Sequence, residues 1–100
     1  MAVPLDADAQ QARYWNSDVT APWVTLQDRL DALFGRFSDA ALAAAKPQPG
    51  ERVIDVGCGC GATTLDLARA VGGAGHVQGV DISGPMLAHA QGRAVCWDQM

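Results

Sequence analysis

A chain of 100 residues, 49% apolar and 18% charged, has the composition of one globular domain and is too apolar and too weakly charged to remain disordered. Its net charge of −4 and scattered basic residues argue against a nucleic-acid partner, because no Lys/Arg cluster is available to displace phosphate counterions. The default partner is therefore a small-molecule substrate.

The cysteines and the apolar runs indicate a cytoplasmic protein. Cys58 and Cys60 lie within a glycine run, which is poor geometry for a disulfide framework, so we expect reduced thiols. No apolar run reaches the roughly 18 to 20 residues of a membrane span, and no secretory signal is evident, so we expect no membrane partner. A metal site needs three or four ligands, and two clustered cysteines do not supply them.

Residues 1–50 are predicted to form a helical segment that flanks the rest of the domain. An apolar stripe at helical spacing begins near Thr25, which together with Asp28 is a candidate N-terminal cap. Gly35 and Ser38 interrupt the stripe and predict a second, alanine-rich helix capped by Ser38. The turn at 47–50 ends that helix. The stripe consists of Leu26, Leu30, Leu33, Phe34 and Phe37.

Residues 51–100 are predicted to begin a parallel α/β domain. The β-branched run 52–56 is typical of a strand that is buried on both faces of a parallel sheet. The elements that follow are a helix over 63–71 closed by Gly72 and Gly73, a strand over 76–80, and a helix from Ser83-Gly84-Pro85 to about Ala94. Strand, helix, strand and helix in this order predict a parallel α/β unit.

The loop after the first predicted strand is the candidate ligand site. Gly57, Gly59 and Gly61 follow the carboxyl end of a parallel strand, where residues without Cβ allow positive φ and close approach of a ligand. The same spacing also satisfies the dinucleotide fingerprint, with Asp81 in the place of a ribose-binding acid. Asp55 favours a different ligand, because an anion there would repel a pyrophosphate and suit a cationic amine.

The segment Asp55-Val56-Gly57-Cys58-Gly59-Cys60-Gly61 resembles the first motif of class I S-adenosylmethionine-dependent methyltransferases. Residues 77–83 are similar to the second motif of that family, and residues 85–90 to the helix after it. The resemblance implies a Rossmann-like, doubly wound parallel-sheet fold preceded by helices. It also implies S-adenosyl-L-methionine as the cofactor and methyl transfer, with a small molecule as the expected acceptor.

The resemblance further implies which residues bind the cofactor. The glycine loop would hold the methionyl end, and Asp55 would meet the amino group directly or through water. Asp81 would accept hydrogen bonds from both ribose hydroxyls, and two apolar side chains would contact the adenine. The full set is Asp55, Gly57, Cys58, Gly59, Gly61, Asp81, Ile82 and Met86. Catalytic residues are unknown, and a lone His89 has no identifiable partner.

The resemblance covers only part of a methyltransferase domain. A complete domain of that family has a larger, mostly parallel sheet, so we expect a chain truncated after about two strands, whose activity alone is doubtful. Unpaired strand edges predict marginal stability and self-association through the incomplete sheet. The alternatives are a non-catalytic interaction module and an NAD(P)-binding oxidoreductase fragment.

Three aromatic residues near the N-terminus are open to two interpretations. Related methyltransferases often have N-terminal aromatic segments that fold over the cofactor or the substrate. Packing in the core is the more frequent role of such side chains. The residues are Tyr14, Trp15 and Trp23.

Overall fold

A computed structural model describes residues 6–93. In chain order the elements are α1 (Ala7–Trp15), a short 3-10 helix (Asp18–Thr20), α2 (Ala21–Thr25), α3 (Gln27–Ala45), β1 (Arg52–Val56), α4 (Ala62–Val71), β2 (His76–Val80) and α5 (Gly84–Arg93). The predicted α/β class and its Rossmann-like order of strand, helix, strand and helix are confirmed. The predicted end of the last helix near Ala94 and the residues after it lie outside the described range.

The two strands pair in parallel, from Arg52 opposite His76 to Val56 opposite Val80. The helix between them, α4, ends at Gly72, whose φ of 67° suits a residue without Cβ. Immediately after β1, the N–H groups of Gly57 and Cys58 both donate to the carbonyl of Val80, at 2.8 and 3.0 Å. The glycine loop therefore begins directly over the carboxyl end of β2.

The prediction that the first strand is buried on both faces is wrong for β1. Ile54 is 63% exposed and Val56 is 80% exposed. Successive side chains of a strand point to opposite faces, and α4 packs on the face that carries Asp55. The opposite face is therefore open along these two residues. The expected self-association through an incomplete sheet stays a prediction.

The prediction of two helices between Thr25 and the turn at 47–50 is also wrong. A single helix, α3, runs through both Gly35 and Ser38. One glycine lowers helix stability by only about 1 kcal/mol, which does not interrupt a helix of this length. The hydroxyl of Thr25 does not cap α3, because it donates to the carbonyl of Ala21 within α2 at 3.0 Å.

The apolar stripe of α3 is helical as predicted, but most of it is exposed. Leu33 is 68% exposed and Phe37 is 72% exposed, while Phe34 contacts Phe37 with ring centroids 6.4 Å apart. Among the described residues other than glycine, the buried ones are spread over the 3-10 helix, the start of α3, the glycine loop, α4, the β2–α5 turn and α5: Thr20, Gln27, Cys60, Thr64, Leu67, Val71, Ser83 and Ala90. Within the described range, no helix has both the length and the apolar character needed to cross a membrane.

Candidate ligand-binding site at the carboxyl ends of the strands

The glycine loop joins β1 to α4 in a conformation that few other residues adopt. Gly57, Gly59 and Gly61 have φ values of 74°, 54° and 90°. Gly61 is also the residue that precedes the first turn of α4, where no side chain caps the helix. A Cβ placed on Gly57 would have no heavy atom within 4 Å, so this backbone faces open space. The loop is therefore shaped to let a ligand approach the main chain.

Asp81, the residue after β2, fixes the loop from the neighbouring strand. Its Oδ2 accepts a hydrogen bond from the backbone N–H of Gly59 at 2.8 Å, and its Oδ1 accepts one from the N–H of Ser83 at 2.8 Å. An ionised carboxylate has about four acceptor positions on its two oxygens. Asp81 therefore organises the site and keeps acceptor capacity for hydroxyl groups of a ligand.

Two cavities meet at the glycine loop. The first, of about 550 Å³, has a volume typical of small-molecule sites. It is lined by Trp15, Trp23, Val56, Gly57, Gly59, Val80, Asp81, Ile82 and Met86. The second, of about 450 Å³, lies between α3, the loop and the start of α4, and it shares Trp23, Gly57, Gly59 and Met86 with the first. Cys58 and Gly61 line the second cavity alone.

Asp55 is the one predicted binding residue that lines neither cavity. Its carboxylate accepts a hydrogen bond from the hydroxyl of Thr64, at 2.6 Å, beneath the loop. Thr64 is buried on α4. The contact ties β1 to α4 and supports the loop between them. The role predicted for Asp55, a contact with a ligand amino group directly or through water, stays a prediction.

The two cysteines of the loop are protonated at neutral pH. Burial, followed by the negative charges of Asp81 and Asp55, raises the pKa of the Cys58 thiol to about 11. Burial also raises the pKa of the Cys60 thiol. Since the thiolate is the nucleophilic form, neither residue is suited to covalent catalysis. Between residues 6 and 93 no group of three or more His, Cys, Asp and Glu side chains is arranged to hold a metal ion.

Gly79 in β2 is a structural part of the site that the sequence analysis did not single out. It lies opposite Asp55 in the sheet. A Cβ at Gly79 would come within 2.9 Å of the Sγ of Cys58 and 3.2 Å of its Cβ. The glycine therefore leaves room for the loop to pack down on β2. A glycine inside a strand often marks such a close approach, and this signal was present in the sequence.

Two of the three N-terminal aromatic residues reach the site. The rings of Trp15 and Trp23 meet edge to face with centroids 6.2 Å apart, and both line the first cavity. Tyr14 packs against Trp15 at a centroid distance of 5.0 Å but does not line either cavity. The indole side chains thus form part of the wall of the first cavity, which Asp81 and Ile82 also line.

A polar network joins α3, α5 and the loop beside the second cavity. The buried Gln27 donates to Asp31 and contacts Nε2 of His89 at 2.7 Å through its side-chain oxygen. Arg93 donates to Asp31 at 3.1 Å and to the carbonyl of Cys60 at 2.9 Å. His89 is therefore a half-buried, hydrogen-bonded residue that links helices. Sequence spacing gave no signal for these contacts between distant segments.

Comparison with known proteins finds a likeness over the second half of the chain, which includes the glycine loop and β2. Residues 53–98 match the model of a methyltransferase domain. The chain is 44% identical over 50 residues to an aklanonic acid methyltransferase of Streptomyces sp. strain C5, a match that covers 50% of this chain and 23% of that protein. It is 41% identical over 44 residues to a probable cobalt-precorrin-6B C(15)-methyltransferase (decarboxylating) of Thermoplasma acidophilum, covering 44% of this chain and 22% of that protein.

A third relative is named for a different kind of acceptor. It is the 23S rRNA (uracil(1939)-C(5))-methyltransferase of Methylococcus capsulatus, 48% identical over 59 residues, which are 59% of this chain and 13% of that protein. In each of these three relatives the match spans less than a quarter of the protein's length. The shared segment therefore occurs in proteins named for small-molecule and for RNA acceptors.

Proposed function

We propose that this chain is part of a class I S-adenosylmethionine-dependent methyltransferase and that its first cavity binds the adenosine part of S-adenosyl-L-methionine. The observation that carries the proposal is the position of Asp81. Its carboxylate lines the cavity, and each oxygen accepts one backbone N–H and retains capacity for a further donor. Two adjacent ribose hydroxyls are suitable donors for that capacity.

The lining of the first cavity favours this cofactor over a dinucleotide. Asp81 is its one charged side chain among the described residues, and neither Lys nor Arg lines it. A pyrophosphate in this cavity would find a carboxylate and no counter-charge, whereas a sulfonium cation gains from the negative potential of Asp81. In the second cavity Arg69 and Arg93 are accompanied by three carboxylates, those of Asp31, Asp39 and Asp66. In the first cavity, indole rings and the apolar side chains of Ile82 and Met86 complete a wall suited to an adenine ring.

The second cavity is the proposed place of the methionyl end. Cys58, Gly59 and Gly61 line it, and the uncapped start of α4 lies beside it, with backbone N–H groups that favour a carboxylate. Asp55 lies outside the cavity lining, so its proposed contact with the amino group would run through water. In this arrangement all eight predicted residues contribute, seven by lining the cavities and Asp55 by supporting the loop.

Bound S-adenosylmethionine would supply an electrophilic methyl group on a cationic sulfur. The residues described here bind and orient the cofactor, and alignment is the main requirement of an in-line methyl transfer.

For the acceptor we propose a small molecule, because a chain of net charge −4 lacks the basic surface that would hold RNA. We propose that the N-terminal segment, residues 1–50, flanks the cofactor. The free thiols of Cys58 and Cys60 fit a cytoplasmic location.

Calorimetry with two ligands tests this proposal. The purified protein is titrated with S-adenosylhomocysteine, which keeps the adenosine and amino-acid parts of the cofactor, and separately with NAD⁺. We expect saturable binding of S-adenosylhomocysteine and no measurable heat with NAD⁺. Binding of NAD⁺ alone would identify the site as that of an oxidoreductase, and a folded protein that binds neither ligand would leave an interaction module as the function.

A further inference from the structure

Asn16, the residue after α1, joins the N-terminal segment to the turn between β2 and α5. Its side-chain Nδ2 donates to the carbonyl of Ile82 at 2.8 Å, and its Oδ1 accepts from the N–H of Gly84 at 2.8 Å. The same Nδ2 donates to the carbonyl of Ala12 within α1 at 2.7 Å. One amide thus holds the backbone on both sides of Ser83, a residue with 0% exposure.

The turn that Asn16 holds is the turn that positions Asp81. The N–H of Ser83 donates to Asp81, and Asp81 accepts in turn from the N–H of Gly59 in the glycine loop. Hydrogen bonds and the backbone of residues 82–84 therefore connect the end of α1, through the β2–α5 turn and Asp81, to the glycine loop. A change at Asn16 reaches the cofactor site through this connection.

The burial of α1 against the domain is only partial. None of its residues is fully buried, and Trp15 at its end is half-buried, meets Trp23 edge to face and lines the first cavity. A helix of nine residues is too short to be stable by itself in water, since isolated helices need roughly 12 to 15 residues to be even marginally stable. The hydrogen bonds of Asn16 therefore help to keep Trp15 at the cavity wall, together with the contact between the rings of Trp15 and Trp23.

We propose that Asn16 is a positioning residue that docks α1 and Trp15 over the first cavity and thereby sets the affinity for the cofactor. The identity of the ligand rests on the function proposed above, whereas the docking of α1 does not. Without the Asn16 amide, α1 is undocked in a fraction of the protein molecules. The apparent affinity for the cofactor then falls in proportion to the fraction of molecules that can still bind it. Loss of two hydrogen bonds between neutral groups corresponds to a decrease in affinity of at most about 5- to 150-fold.

The first experiment measures docking without ligand, in Asn16→Ala and in the control Ser17→Ala. The control removes one hydrogen bond at the same helix end, from the Ser17 hydroxyl to the carbonyl of Tyr14, that does not reach the β2–α5 turn. We expect faster amide hydrogen exchange over residues 7–16 in Asn16→Ala and unchanged exchange in the control. Equal exchange in the two variants and the unaltered protein would overturn the proposal.

A spectroscopic measurement follows the same docking at the indoles. The chain has three tryptophans, so Trp97 is replaced by Phe in every variant to restrict emission to Trp15 and Trp23. In this background we expect acrylamide to quench the Asn16→Ala protein more strongly than the Ser17→Ala protein. Indoles that remain equally protected in both variants would contradict a positioning role for Asn16.

The second experiment adds S-adenosylhomocysteine and measures Kd by calorimetry. We expect a loss of affinity within the 5- to 150-fold range in Asn16→Ala and a change of less than about twofold in Ser17→Ala. Faster exchange with an unchanged Kd would overturn the link between docking and affinity. A failure of the unaltered protein to bind would refute the proposed function, and the exchange and quenching measurements would still decide whether Asn16 docks α1.

Discussion

Replacing Asp81 with alanine is expected to weaken binding of S-adenosylhomocysteine by at least about 100-fold, because two hydrogen bonds to a charged acceptor contribute about 1.5–3 kcal/mol each. The structure adds a second cause to the loss of the ribose contacts. The same carboxylate holds the N–H groups of Gly59 and Ser83, so its removal also releases the glycine loop and the β2–α5 turn. Calorimetry with circular dichroism as a check of folding measures the effect.

Two further variants separate the causes. Asp81→Asn keeps the size and one acceptor oxygen, so we expect an affinity between those of the unaltered protein and Asp81→Ala. Asp28→Ala removes a carboxylate from the exposed first turn of α3, away from both cavities, and should leave Kd within about twofold, as for most exposed sites. A folded Asp81→Ala protein with undiminished affinity would show that the ribose lies elsewhere.

Replacing Gly75 with alanine is expected to lower the free energy of unfolding by about 2–4 kcal/mol, within the range for forced overpacking and strain. A Cβ at Gly75 would come within 2.5 Å of the Cβ of Val71 and 2.8 Å of the carbonyl oxygen of Glu51. Val71 is 2% exposed and Glu51 accepts a backbone bond from His76, so neither neighbour moves freely. Urea denaturation measures the loss.

Gly73 offers a matched control two residues earlier in the same turn. A Cβ there would meet no heavy atom within 4 Å, and the residue is not among those with positive φ. Gly73→Ala should therefore change the free energy of unfolding by less than about 0.5 kcal/mol. Equal effects of the two substitutions would mean that the packing of Gly75 against Val71 and Glu51 does not limit stability.

The strands and the helix ends of the second half were predictable because local chemistry determines them. The run 52–56 and the run 76–80 form β1 and β2 with the predicted bounds. Gly72 ends α4 as predicted. Ser83 caps α5 through its hydroxyl, which accepts from the N–H of Met86 at 3.3 Å. Each of these features depends on residues a few positions apart, which is the distance that sequence patterns cover.

The first half and the support of the site were less predictable because they depend on distant contacts. Whether Gly35 breaks a helix depends on the balance of propensities along all of α3, and the exposure of Phe37 depends on which elements pack beside it. Asn16 and Ile82 are 66 positions apart, and Arg93 and Asp31 are 62 apart. Motifs predicted Asp81 as a ligand residue, which stays a prediction, while only the three-dimensional arrangement showed that it holds the glycine loop.

The most direct test of the proposed cofactor site is a titration of the ¹⁵N-labelled protein with S-adenosylhomocysteine, followed by amide and indole NMR signals. We predict shifts concentrated at the N–H groups of Gly57, Gly59 and Ser83 and at the indole N–H groups of Trp15 and Trp23, with the last turn of α3, which lines neither cavity, unchanged. Shifts confined to α3, or a folded protein whose signals do not move at saturating ligand, would contradict the site.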